Sequence, residues 1–347
     1  MRTVIAGLGS IGRRHLRNLL AIGESDIVLL RSGHSTLPDA ELSGLPSVGS
    51  LPEALDGRPQ AVIVANPTAY HLDVALPAAE AGCHLLLEKP VSHSIQGVSM
   101  LRATAARSGA RILVGYQFRF HPCLHRLQRL LSEGELGEPL HAGVHFGEYL
   151  PAWHPWEDYR HGYAARSDLG GGVVLTQSHP LDYLSWLFGQ PTSVVARTAS
   201  PPHLELQGVE GMADIVLQYP SGMSAGIHLD YVQRPAVHRF EVVGASGNAT
   251  CDLLVGSLRW RTSVAEEWVE YRVPPDFERN TLFLDEIRHF RQVVEQGVDP
   301  VCGLDDGVAC LTVALAALEA GRQPAPVELQ APERARGNRR GSEVGDG

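Results

Sequence analysis

Residues 3–15, TVIAGLGSIGRRH, open with four residues of a strand-like run and pass through a glycine-rich turn into a helix-like run. The turn, residues 7–12, reads GLGSIG, which fits G-x-G-x-x-G. Gly7 permits the tight turn, Gly9 lets the backbone approach a pyrophosphate, and Gly12 lets helix and strand pack closely. Ser10 and Ile11 complete the first helical turn, whose N–H groups point where phosphates bind. By itself the pattern also suits any glycine-rich turn of an α/β domain. Between a strand and a helix it signals dinucleotide binding.

The pattern outward from this motif continues the same alternation. Short, nearly all-apolar runs recur at 26–30, 60–65, 84–87 and 111–114, as expected of strands buried on both faces. Helix-like segments lie at 10–22, 69–82 and 93–108. Strand and helix in alternation imply a parallel sheet with helices on both sides. After Phe120 the texture changes. A helix over 122–133 is followed by strand-like stretches at 139–148, 192–199, 211–219, 223–230, 238–243 and 250–255, and by late helices at 279–296 and 304–321. The expected fold is α/β: an N-terminal Rossmann domain with a doubly wound parallel sheet over 1–122, then a C-terminal α+β domain over 123–330 with a large, mostly antiparallel open sheet. Residues 331–347 are polar and glycine-rich with no hydrophobic pattern and read as a disordered tail.

The composition excludes several function classes. The 347 residues carry 39 acidic and 29 basic side chains, for a formal charge of −10. That argues against nucleic acid or an anionic membrane surface as the partner. No run approaches the about 18 apolar residues a membrane span requires. Five cysteines without a C-x-x-C pair read as free thiols in a reducing compartment, and with no leader-like segment at the start the expected location is the cytoplasm.

The second apolar run ends at Leu30 and is followed by Arg31 and Ser32, where an NAD-preferring site usually has an acid for the ribose 2′-hydroxyl. A guanidinium and a hydroxyl suit a 2′-phosphate instead. The expected cofactor is NADP(H) or NAD(H), leaning to NADP(H), although Arg31 alone also fits a solvated loop cation. Two further loops follow strand ends: residues 66–71, NPTAYH, with Asn66, Pro67, Thr68 and His71, and residues 88–90, EKP, with Glu88 and Lys89. Open α/β sheets place ligands there. Pro90 biases Lys89 towards an extended backbone and holds its ammonium at the lip of the sheet.

Together with residues 115–122, GYQFRFHP, and the run from the glycines at 170–172 to residues 179–182, HPLD, these motifs resemble the Gfo/Idh/MocA oxidoreductases over nearly the whole chain. The resemblance implies a nucleotide-binding domain followed by a domain whose open sheet often serves oligomerisation, so a homodimer or homotetramer is expected. It implies hydride transfer between NAD(P) and a sugar, nucleotide-sugar or polyol hydroxyl or its ketone. It also implies that Lys89 and His179 are catalytic. Many members carry an aspartate shortly before that histidine. Here Thr176 fills the place, which leaves the substrate class open.

Pro180 fits the first turn of a helix that Gly189 ends, so His179 falls at or beside its N-terminus. The positive end of the helix disfavours imidazolium, leaving a neutral ring able to accept a hydroxyl proton. Asp182, one turn on, is placed to bond the ring, to cap the helix or to meet substrate. The expected substrate contacts are Arg119, Tyr159, Arg160, Tyr163, Arg166, Thr176 and Asp182. The segment 149–168 supplies aromatic faces for stacking and guanidinium groups for a carboxylate or phosphate, or else packs on itself. No metal is expected, since the i,i+4 pairs His121/His125 and His141/His145 show no third ligand. Two other functions suit the same motifs: an NAD-assisted glycosidase or lyase, and a dinucleotide-binding regulator without chemistry.

Overall fold

The computed structural model describes residues 1–33, 37–265, 267–323 and 325–329; the tail expected at 331–347 lies outside them. Six parallel strands form the first sheet: β1 (Thr3–Ala6), β2 (Ile27–Leu30), β3 (Ser47–Val48), β4 (Ala61–Val64), β5 (His84–Leu87) and β6 (Ile112–Val114). Their order is β3-β2-β1-β4-β5-β6. The chain therefore reverses direction between β1 and β4, the switch point where such sheets take their ligands. β1 and β4 are buried at every position, which is why they read as unbroken apolar runs. Helices α1 (Ser10–Ala21), α2 (Leu51–Asp56), α3 (His71–Glu80) and α4 (Val98–Ser108) connect the strands.

After α5 (Pro122–Ser132), nine strands form the second sheet: β7 (Pro139–Gly147), β8 (Ser193–Ala199), β9 (Met212–Gln218), β10 (Ser224–Asp230), β11 (Val237–Gly244), β12 (Gly247–Asp252), β13 (Ser257–Thr262), β14 (Val269–Arg272) and β15 (Val327–Glu328). They lie in the order β14-β13-β12-β11-β7-β10-β9-β8-β15. All neighbours are antiparallel except β7 and β10. Burial alternates along β8, β9 and β11, so one face packs inward and the other faces out. Helices α6 (Val173–Thr176), α7 (His179–Phe188), α8 (Arg279–Glu295) and α9 (Leu304–Ala320) complete the chain.

The division at residue 122 separates the two sheets, but the late helices return to the first. α8 packs on α1, and the Val114 N–H donates to the carbonyl of Cys302. The sequence reading left out β3, α2, α6, β13, β14 and β15. The short α2 is set by Ser50, whose hydroxyl accepts the Glu53 N–H, and not by periodicity. The strand expected over 250–255 ends at Asp252, whose carboxylate accepts the N–H groups of Leu254 and Val255 and turns the chain. Leu254 and Val255 face solvent in that turn, so an apolar run that reads as strand is a hairpin loop.

Candidate active site

The cofactor-binding residues named from the sequence follow the C-terminal ends of β1, β2, β4 and β5. Gly7 has φ +94°, and a Cβ there would lie 2.4 Å from the Asn66 nitrogen. A Cβ on Gly12 would lie 1.9 Å from the Gly7 carbonyl oxygen. Both positions require glycine for space. Gly9 differs: nothing lies within 4 Å of its Cβ direction, and no side chain caps α1 at this N-terminus. Ser10 is exposed beside it and Ile11 partly so. This open, uncapped helix start fits a dinucleotide pyrophosphate. Arg31 follows β2 half-buried, its N–H bonded to the Val48 carbonyl, with Ser32 exposed next to it.

The loop after β4 is fixed by His71, buried at the start of α3. One ring nitrogen lies 2.9 Å from the Pro90 carbonyl and the other 3.0 Å from the Asn66 carbonyl. Burial holds its pKa below the ordinary imidazole value. His71 thus ties this loop to the loop carrying Lys89 and acts as a brace between them. Thr68 is buried, and Pro67 sits partly covered before it.

Glu88 and Lys89 follow β5. The Lys89 Nζ donates to the Thr176 carbonyl at 2.6 Å, which brings together the two stretches expected to be catalytic. Burial lowers the Lys89 pKa, opposed by the neighbouring Glu88 carboxylate. Glu88 is itself buried, which favours its neutral form, but His15 at 2.7 Å and the Lys89 charge hold it below its ordinary value. Glu286 on α8 completes the cluster. It is fully buried, neither carboxyl oxygen has a hydrogen-bond partner, and burial with the Glu88 charge raises its pKa well above normal. Glu88 is the ionised member and Glu286 the protonated one.

His179 is the first residue of α7, and Ser178 is its N-cap. Tyr116 and Phe118 meet its ring edge-on, at centroid distances of 5.7 and 4.9 Å. Its Nε2 lies 3.5 Å from the Gln117 amide, and its Nδ1 is buried without a partner. Burial, then the charge of Lys89, holds its pKa well below 6.5. The ring is neutral, but burial contributes more than the helix terminus invoked from sequence. Gly170 allows the contact that assembles the site, since a Cβ there would lie 3.0 Å from both the Ala69 nitrogen and the Thr68 Cβ. Close in sequence to His179, the Gln177 Oε1 is also buried without a partner, as is the Asn66 Oδ1 in the loop after β4, while the Thr176 hydroxyl lies against the Tyr163 and Tyr231 phenols. Buried polar atoms are nearly always paired in folded proteins, so orphans grouped at one cleft mark where a ligand supplies the bonds.

Five of the expected substrate contacts are engaged elsewhere. Arg119 donates to both Asp182 oxygens, from Nε at 3.0 and 3.2 Å and from an η nitrogen at 2.8 Å. The two side chains are 5% and 1% exposed, so they satisfy each other in the interior. Asp182 bonds neither the His179 ring nor the helix terminus. Arg160 pairs with Asp158 in its own loop and with Glu205 outside it, and Arg166 pairs with Asp168. Tyr159 donates to the Leu204 carbonyl. Tyr163 does reach the site: it is close to Thr176 and Glu88, and burial raises its phenol to about 12. The 149–168 loop mostly packs its own aromatics; Trp153 meets Tyr231 edge-on, while Trp156 remains exposed.

Residues 1–116 match the family model for the oxidoreductase family with an NAD-binding Rossmann fold, and residues 124–250 match the GFO/IDH/MocA C-terminal domain. The chain belongs to the Gfo/Idh/MocA family. It is an NAD(P)-dependent oxidoreductase acting on CH–OH groups. Scyllo-inositol 2-dehydrogenase (NAD(+)) of Bacillus subtilis is 26% identical over 95% of this chain and 96% of its own length. D-xylose 1-dehydrogenase (NADP(+)) 2 of Haloferax volcanii is 24% identical over 94% and 98%. In structure, a levoglucosan dehydrogenase in complex with NADH and levoglucosan superposes with a TM-score of 0.83, at 16% identity, over 94% of this chain and 98% of its own. The WlbA dehydrogenase of Bordetella pertussis, in complex with NADH and UDP-GlcNAcA, gives 0.78 at 19% identity over 95% and 99%.

Within this family member the structure adds two groups to the cleft that the sequence reading passed over. Arg279, exposed at the start of α8, lowers the pKa of Lys89 and of His179 and makes no side-chain ion pair among the described residues. Glu148, just after β7, is a half-buried carboxyl whose pKa burial raises and the charges of Arg279 and Lys89 oppose. With Thr176 in place of an acid, Glu148 is a carboxyl group within the field of Lys89. Nothing local marks either residue, because each lies far in sequence from the motifs.

Proposed function

We propose that this protein oxidises a secondary hydroxyl of a sugar or cyclitol, or reduces the corresponding ketone, with His179 as acid/base and Lys89 polarising the reacting oxygen. The observation that carries this reading is the approach of Lys89 to Thr176 and His179, with the unpartnered polar atoms of Asn66 and Gln177, at the switch point of the dinucleotide-binding sheet. The nicotinamide, when bound, accepts or supplies the hydride. The chain's own residues handle the proton. In the oxidative direction the neutral His179 ring takes the hydroxyl proton as the C–H bond breaks, and it returns that proton in reduction. The Lys89 ammonium donates a hydrogen bond to the oxygen on which charge develops. Thr176 and Tyr163 offer hydroxyls to the substrate. Arg279 is the cation available for an anionic substituent such as a carboxylate or phosphate.

Arg31 and Ser32, with no acid at the end of β2, support a preference for NADP(H). The outward face of the nine-stranded sheet carries the register-matched pair Val195 and Val216, both exposed, and supports a homodimer or homotetramer. Five buried free thiols support a reducing, cytoplasmic setting.

The test is absorbance at the reduced-nicotinamide band with NADP+ and NAD+ against a panel of cyclitols, aldoses and nucleotide sugars. Net cofactor reduction is expected. Lys89→Met is expected to leave cofactor affinity nearly intact and lower kcat about a hundredfold or more. Turnover of substrate without net reduction would favour a lyase or glycosidase that uses its dinucleotide transiently. Unchanged turnover in the Lys89 variant would remove that residue from the chemistry.

A further inference from the structure

The outward face of the second sheet carries a side-chain cluster separate from the dinucleotide cleft. β7 and β10 are the parallel pair, and their register sets His145 beside His228 and Gly147 beside Asp230. The imidazole rings stand at 86° to each other with centroids 5.0 Å apart. The His228 Nε2 is 3.4 Å and the His145 Nε2 is 3.6 Å from the same carboxylate oxygen, Oδ2 of Asp230. These contacts are long for hydrogen bonds. The His145 Nε2 and Asp230 Oδ2 are both buried atoms with no hydrogen-bond partner, and Asp230 as a residue is 1% exposed. The unprotonated His145 Nε2 and the Asp230 Oδ2 can each offer a lone pair to a cation placed between them.

Their separations match a metal ion. Nitrogen and oxygen donors at about 2.0–2.2 Å from zinc, spaced tetrahedrally, lie about 3.4 Å from one another. The three donor atoms all fall within 4.8 Å of each other. The surroundings are arranged for it as well. The other nitrogen of His228, Nδ1, lies 2.6 Å from the Asp214 carboxylate, which aims Nε2 at the shared point in the way that carboxylates orient metal-binding imidazoles. The Asp230 Oδ1 is occupied by the N–H groups of Val232 and Gln233, leaving Oδ2 as the free donor. Gly147 leaves room for that carboxylate, since a Cβ there would lie 2.2 Å from Oδ2.

We propose that His145, His228 and Asp230 bind a divalent transition-metal cation, zinc by preference, with a fourth position not filled by these three side chains. Two imidazoles and one carboxylate favour zinc-like ions over magnesium or calcium, which take oxygen-rich sites. The role is structural. The Asp230 carbonyl accepts the Glu148 N–H at 3.1 Å and the Gln177 amide at 3.2 Å, so an ion on Asp230 braces the segment that presents both residues to the cleft.

The experiment strips the full-length protein with chelator and titrates it with zinc chloride by calorimetry, alongside melting curves with and without zinc. One zinc per chain is expected, with a rise in melting temperature. His145→Ala and His228→Ala each abolish the tight binding, and Asp214→Asn weakens it about tenfold to a hundredfold. Retained NADPH binding by the variants confirms that they fold. X-ray absorption at the zinc edge of the wild-type protein, showing imidazole ligands, tests the site without any substitution. The proposal is overturned by a wild-type Kd of about 0.1 mM or weaker. It is equally overturned if the His145→Ala/His228→Ala protein keeps its zinc, which would place the ion at the buried His15, Glu88 and Glu286 group.

Discussion

Replacing Asp182 with alanine distinguishes a substrate-binding acid from one that holds the interior together. Arg119 and Asp182 lie together in the interior and share three nitrogen–oxygen contacts of 2.8–3.2 Å. Removing one member of a buried pair leaves the other charge uncompensated and typically costs about 3–5 kcal/mol. Arg119 keeps some support: the Val301 carbonyl at 3.1 Å, the Asp306 carboxylate at 3.8 Å and the Trp186 ring at 5.2 Å. The expected loss is therefore at the lower end, about 3 kcal/mol. With an unfolding entropy of about 2.1 cal/mol/K for each of 347 residues, each kcal/mol shifts the melting temperature by about 1.4 °C, so it falls by about 4 °C. Asp182→Asn keeps the shape and part of the bonding and falls less. Circular dichroism melting measures the shift, and steady-state kinetics on the folded variant should give a KM within about twofold of the wild type. A melting temperature unchanged to within about 2 °C, with KM raised tenfold or more, would place Asp182 against substrate and refute the assignment.

His179→Asn should lower kcat by about 10²–10⁴. Because burial and the Lys89 charge depress the imidazole pKa, the wild-type ring stays neutral as pH falls through 6.5, and the acid limb of the kcat profile lies below that value; a limb at or above it would assign the base elsewhere. Wild-type protein should bind NADPH more tightly than NADH, and Arg31→Ala should erase most of a difference of roughly 1.5–3 kcal/mol; equal affinities before substitution would end that argument. Gly171→Ala would drive a methyl group to 2.1 Å from the Tyr163 carbonyl oxygen and 2.7 Å from that of Ala164. Such overpacking typically costs about 1–3 kcal/mol, read as a lower melting temperature; an unchanged transition would show that the glycine run is not held tightly.

The two-sheet architecture was legible because each sheet writes its own period into the chain. β1, β4 and β5 are buried on both faces and appear as unbroken apolar runs. β8, β9 and β11 have one face covered and alternate. The glycine turn at 7–12 was legible for a steric reason, since backbone atoms occupy the space a side chain would need at Gly7 and Gly12. The EKP and HPLD motifs pointed to Lys89 and His179, which the fold brings to one cleft. Elements shaped by single hydrogen bonds escaped notice. α2 depends on one serine hydroxyl, and the end of β12 on one aspartate.

What the chain order cannot express is which charge meets which. Arg119 and Arg160 look alike as cations near aromatic residues, yet the fold sets Asp182 against the first and Glu205 against the second. Arg279 looks like any helix-start arginine, yet its charge acts on Lys89 and His179, because α8 returns to pack on α1. The same applies to His145. Its i,i+4 neighbour His141 bonds Ser224, while its own partners, His228 and Asp230, lie on β10 and reach it only through the parallel pairing with β7. Periodicity and turn chemistry act over a few residues and can be read in order along the chain. Ion pairs, orphaned donors and ligand clusters depend on distances between segments separated by many tens of residues, and only the folded chain sets those.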